Sequence, residues 1–96
     1  MKITALETIR NAEFPNLLWL HVHTDEGLSG LGETFFGAQA VEAYLHESVA
    51  PQLLGQDPSR IDHIARKLYG YLGFRGSGVE TRGNSAIDIA LWDLWG

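Results

Sequence analysis

The chain contains no cysteine. Disulfides, zinc-thiolate centres and thiol nucleophiles are therefore excluded. Basic residues are few as well: seven Lys and Arg stand against twelve Asp and Glu, for a net charge of -5. That balance argues against nucleic acid or an anionic membrane as the main partner, and no run of basic residues contradicts it. The lysines are Lys2, at the terminus, and Lys67, on a solvated helix face, which makes a lysine general base improbable. No apolar run is long enough to span a bilayer, and the longest such stretch, near the C-terminus, carries Asp88 and Asp93. "MKITALETIR" alternates polar and apolar residues, unlike a signal or transit peptide, so a cytoplasmic location is the default expectation. Repeats, linkers and low-complexity tracts are absent too.

What is present suits a folded domain. The 96 residues are 45% hydrophobic, too apolar for disorder and enough for one small core. The first third has strand period. "KITALETIR" alternates imperfectly, whereas "LLWLHVHT" sets Leu18, Leu20 and Val22 on one face and Trp19, His21 and His23 on the other. "TDEG" supplies a turn with Gly27 at positive φ, and "LSGLGETF" reads as a third strand thinned by Gly30 and Gly32. From Gly37 the period becomes helical. "AQAVEAYLHESVA" places Val41, Tyr44, Leu45, Ser48 and Val49 on one face, with Glu42, His46 and Glu47 toward water and Pro51 and Gly55 as the stop. Asp57 as N-cap and Pro58 at the first helical position open a second helix, with Ile61, Ile64, Ala65, Leu68 and Leu72 as its stripe. Ser85, with Asp88 three residues on, is expected to cap the last helix. The fold class is α+β, a three-stranded antiparallel meander followed by about three helices.

Few motifs carry chemistry. "GETFFGA" fits G-x-x-x-x-G, but Ala38 and Gln39 stand where a phosphate-binding loop needs Lys and Ser or Thr, and Phe35 occupies the third glycine of the dinucleotide pattern. What remains is a tight strand-to-helix loop that shows two phenylalanines, at least one of which must point away from the core; ligand contact and a purely structural role both stay open. His21 and His23 share a strand face as chelating histidines do, yet no third ligand is evident at strand or helix spacing, and a packed or surface pair is the plain alternative. Arg75, in the glycine-rich "GFRGSG", suits a carboxylate or phosphate ligand, against the alternative of a surface arginine. The ending "NSAIDIALWDLWG" is apolar on more than one helical face. Ile87, Ala90, Leu91 and Leu94 form one stripe, and Trp92 and Trp95 widen it. Such a helix is buried on more than one side, and three strands with two short helices cover only one.

"TDEGLSGLGE", "LLGQDPSRID" and "SAIDIALWDLWG", in that order and spacing, resemble the N-terminal part of enolase-superfamily enzymes of the mandelate racemase and muconate lactonizing type, most closely the acid-sugar dehydratases. Gly83 departs from the Ala usual in that signature, which also normally runs on into Lys and a Pro-containing turn. The resemblance implies that residues 1–96 are a capping domain whose last helix, about 84–96, enters a (β/α)-barrel that this chain lacks. It implies a Mg²⁺-dependent parent, a lyase or isomerase, that abstracts a proton α to a carboxylate. The metal ligands and catalytic bases would lie on the barrel and none in this chain. Its partners would be that barrel, a small sugar-acid substrate and further copies of itself. The cap loops would carry the substrate contacts, at Phe14, Asn16, Thr34, Phe35, Phe36 and, more weakly, Arg75. The alternatives are a mandelate-type racemase or another member of the superfamily, or a free-standing interaction module that binds another protein through Trp92 and Trp95.

Overall fold

A computed structural model describes residues 1–69 and 78–95, the Tyr69 side chain excepted. Three strands, β1 (Ile3–Asn11), β2 (Phe14–Thr24) and β3 (Ser29–Phe35), form an antiparallel sheet in the order β1-β2-β3. The alternation in β2 sets the layers. Leu18, Leu20 and Val22 are fully buried toward the helices, and Trp19, His21 and His23 lie half-exposed on the other face. Each connection is closed by its own side chains. Asn11 Oδ1 accepts from Glu13 N at 2.8 Å in the first hairpin, and Thr24 Oγ1 donates to Leu28 O at 2.8 Å across the second, where Gly27 has φ 77°.

The helices cover one face: α1 (Ala38–Tyr44), α2 (Ala50–Leu53), α3 (Ile61–Tyr69) and α4 (Val79–Trp95). Pro51 does not end the first helical segment. It sits in the first turn of α2, and the chain reaches it through a widened turn at Leu45–Val49, where Ala50 N donates to Leu45 O. Proline has no N–H to give and crowds the carbonyl four residues back, and one wide π-type turn accommodates both defects. Gly55, at φ 87°, is the actual stop; its N donates to Ile3 O at 2.8 Å and Ile3 N donates to Gln56 O at 2.9 Å, which fastens this segment to β1.

Four other expectations need correction. Asp57 caps a turn and not a helix: its Oδ1 accepts from Ser59 N at 2.9 Å, and α3 starts only at Ile61. Ala65 is exposed, leaving Ile61, Ile64 and Leu68 as the described stripe; Leu72 lies outside the described residues. Glu42 is half-buried and faces β1, accepting from Thr8 Oγ1 at 2.7 Å and pairing with Arg10 Nε at 3.1 Å, while His46 Nε2 lies 2.8 Å from the same Thr8 hydroxyl. Finally, α4 begins at Val79, so Ser85 is interior to it. Gly83 lies within the helix, ahead of the Ser85 and Asp88 pair that resembles a cap. Glycine weakens a helix by about 1 kcal/mol relative to alanine, but here a Cβ would come within 2.6 Å of the Tyr44 ring, so the helix runs through a glycine its packing demands.

The glycines of β3 do more than thin a strand. A Cβ on Gly30 would lie 2.0 Å from Ala90 O, and one on Gly32 would lie 2.1 Å from Ala86 O. Backbone of α4 therefore rests directly on backbone of β3. The helix contributes Gly83, Ala86, Ile87, Ala90 and Leu91, all buried, at the spacing of a single face. Among the described residues no buried side-chain nitrogen or oxygen lacks a hydrogen-bond partner.

Candidate functional site

The β1–β2 hairpin, the start of β2 and the end of β3 meet at one end of the sheet, where β3 must turn into α1 within two residues. Phe36 and Gly37 make that turn with φ of 73° and 66°. A left-handed backbone is unfavourable for a bulky residue and persists only where its surroundings hold it. Here Phe36 N donates to Asn16 O at 2.8 Å. The outcome is that neither phenylalanine enters the core: Phe35 is 60% exposed and Phe36 62%.

Arg82, on the first turns of α4, reaches this end. Its guanidinium lies 5.6 Å from the Phe35 ring centre and 5.2 Å from that of Phe36, and its Nη1 donates to Phe35 O at 3.1 Å. A cation over two ring faces is attracted by both π clouds and is also held in place by them. Beside it opens a groove of about 420 Å³ lined in part by Glu33, Thr34, Phe35, Arg82 and Ser85. It offers apolar surface, hydroxyls and one fixed positive charge, a combination that can shield and orient a small oxyanion.

Of the residues singled out in the sequence, Thr34, Phe35 and Phe36 are brought together here, and Asn16 joins through its carbonyl. Phe14, half-exposed, lies two residues further out on β2. Arg75 lies outside the described residues. Arg82 escaped sequence reasoning because the helix was expected to start after it; a start at Val79 would have placed it at this end.

Two further features stand apart. The strand register puts Glu7 opposite His21, on the face shared with His23, which supplies the carboxylate that the spacing of residues did not reveal. The ligand atoms of Glu7, His21 and His23 all lie within 4.8 Å of one another. Two imidazoles and one carboxylate do not fit Mg²⁺, which takes oxygen ligands in near-octahedral array. The groove is no better suited, since Glu33 is the one carboxylate among its described residues.

The outer face of α4 carries Ile89, Trp92 and Trp95, exposed by 46%, 59% and 49%. Trp95 Nε1 donates to Pro58 O at 3.3 Å, and Asp93 Oδ2 accepts from Leu31 N at 2.8 Å, so this end of the helix is tied down while its indoles stay largely uncovered. No described helix is long and apolar enough to cross a membrane.

The family model described as mandelate racemase/muconate lactonizing enzyme, N-terminal domain, matches residues 2–96. A D-mannonate dehydratase of Novosphingobium aromaticivorans is 40% identical over 98% of this chain, which spans 24% of that protein. Among solved structures, an enolase of the mandelate racemase subgroup from Agrobacterium tumefaciens superposes with a TM-score of 0.94 at 67% identity, over all of this chain and 27% of its own. An enolase from Pantoea ananatis, solved with bound D-gluconate and Mg, gives a TM-score of 0.87 at 37% identity, over 99% of this chain and 24% of its own. The chain thus spans about a quarter of the length of the proteins it matches.

Proposed function

The chain belongs to the mandelate racemase/muconate lactonizing enzyme family as its N-terminal domain, and on that premise we propose that it caps the active site of an enzyme that dehydrates acid sugars. Such a reaction removes the proton α to the carboxylate and expels the β-hydroxyl as water. The Mg²⁺ and the bases it needs would be held by a barrel outside this chain, in keeping with the poor fit of the Glu7, His21 and His23 cluster and of the groove to Mg²⁺. Support for the substrate class comes from the relative named as a D-mannonate dehydratase and from the D-gluconate bound in the Pantoea enolase.

This chain's own work is contact and exclusion. Phe35 and Phe36, turned outward, roof the reacting carbons and displace water, while Arg82 and the Thr34 hydroxyl meet the polyol or the carboxylate. Excluding water strengthens every polar contact underneath and fixes the substrate for proton removal. The outward-turned phenylalanine pair under Arg82 carries the reading, since a backbone strained to expose Phe36 serves no purpose in the domain's own core. The Ile89, Trp92 and Trp95 face of α4 is where the barrel docks.

In the full-length enzyme, Phe36→Ala lowers kcat/KM on its sugar acid by about 10- to 100-fold with the melting temperature unchanged. Steady-state kinetics on a panel of sugar acids, beside a thermal melt, checks this. Unchanged kinetics with a sharply lower melting temperature would make Phe36 a structural residue and remove the roof.

A further inference from the structure

We propose that Glu7, His21 and His23 form a binding site for a borderline transition ion of the zinc class, on the open face of the sheet and separate from the capping loops. The carboxylate sits between the two rings: Glu7 Oε1 lies 2.9 Å from His23 Nε2 and 3.9 Å from His21 Nδ1. Antiparallel pairing creates this arrangement. Glu7 is directly across from His21 and diagonal to His23, and both positions are within reach of long side chains on one sheet face.

Two imidazoles and a carboxylate are a common zinc ligand set, and imidazole equally suits Ni²⁺ and Cu²⁺. Zinc bonds of about 2.0–2.2 Å in a tetrahedron set donor atoms roughly 3.3 Å apart. The cluster spans at most 4.8 Å, so closing on an ion takes side-chain rotation and no movement of backbone. The side chains have that freedom, being 55% (Glu7), 34% (His21) and 37% (His23) exposed. Competition is low. Among the described residues Glu7 meets no lysine or arginine within ion-pair distance, and Arg10, three positions on, is engaged with Glu42 on the opposite face. Ala5, opposite His23, leaves room beside the ring. The ion ties β1 to β2, with a remaining coordination position for water.

The test is isothermal titration of Zn²⁺ and Ni²⁺ into protein stripped with chelator and returned to millimolar Mg²⁺. One ion per chain is expected, with His21→Ala, His23→Ala and Glu7→Gln each weakening binding at least tenfold. His46→Ala and His63→Ala, on the helices, leave it unchanged. Zn²⁺ raises the melting temperature of the parent protein and not that of the His21→Ala/His23→Ala double variant, whose circular dichroism remains that of the parent. Equal Zn²⁺ affinity in parent and double variant, or loss of binding in the His46 or His63 variant, overturns the site. Neither readout involves catalysis, so the result is independent of the capping role.

Discussion

The two faces of α4 follow opposite rules. Toward β3 the helix presents Ala86 and Ala90, residues so small that their carbonyls touch the Gly30 and Gly32 backbone positions. Away from the sheet it presents Ile89, Trp92 and Trp95, large side chains about half uncovered. A close-packed face is complete, because nothing can be added to it without displacing backbone. A bulky apolar face left in water is incomplete, and an exposed patch of a few hundred Å² marks an interaction surface. On the capping role proposed above, the same helix belongs to two layers, one inside this domain and one that a barrel would supply.

The comparison breaks most sharply at the tight face. Gly32→Val puts branched carbons where Ala86 O already stands, and α4 must lift off β3. Overpacking of this kind is expected to destabilise by about 3 kcal/mol or more, a fall in melting temperature of more than 10 °C on the scale of about 4–8 °C per kcal/mol for a domain this size. Thermal unfolding of the 96-residue chain measures it. A stable Gly32→Val variant would mean that the helix does not rest on the strand.

On the open face the expected effect is smaller. Trp92→Ser changes the stability of the isolated chain, read in the same thermal melt, by no more than about 0.5 kcal/mol, as for surface substitutions generally. A large loss of stability would show that Trp92 packs on its own domain and that the two faces are alike.

The smallest effect concerns the turn beneath Trp95. Ser59 N–H donation to the carboxylate holds Asp57 below the ordinary aspartate range, and the same turn presents Pro58 O to the Trp95 indole. A carboxylate depressed in the folded state contributes stability that is present above the unfolded value of about 4 and lost as pH falls through the lower folded value. Asp57→Ala is therefore slightly less stable than the parent at neutral pH, and the gap closes in acid. Melts from pH 7 down to pH 3 read the difference. A gap that widens in acid would contradict the assignment.

How much of this was legible in the sequence depends on range. The alternation of β2, the Gly27 turn and the apolar excess of the C-terminal helix are local patterns, and they appear in the fold as read. The start of α4 was misread because Ser85 and Asp88 fit a box-like cap by local rules. The helix begins at Val79 and runs through Gly83, whose missing Cβ leaves room for Tyr44, far away in the chain. Arg82 fell outside the expected site for the same reason. Glu7 joins His21 and His23 only through strand register, which no spacing along one strand reveals. Asp57 and Pro58 form a good helix start by local rules, but the Asp57 side chain closes a turn first, and the helix waits until Ile61 can be buried against the core.

Hydroxyl-radical footprinting, read by mass spectrometry, tests the two-layer account of α4 most directly. The 96-residue chain is compared with the same sequence in a protein of its relatives' full length. Trp92 and Ile89 are expected to be oxidised readily in the short chain and strongly protected in the long one, while Phe36 stays reactive in both until a sugar acid is added. Equal oxidation of Trp92 in the two proteins would contradict the claim that this face of α4 is built to meet a barrel.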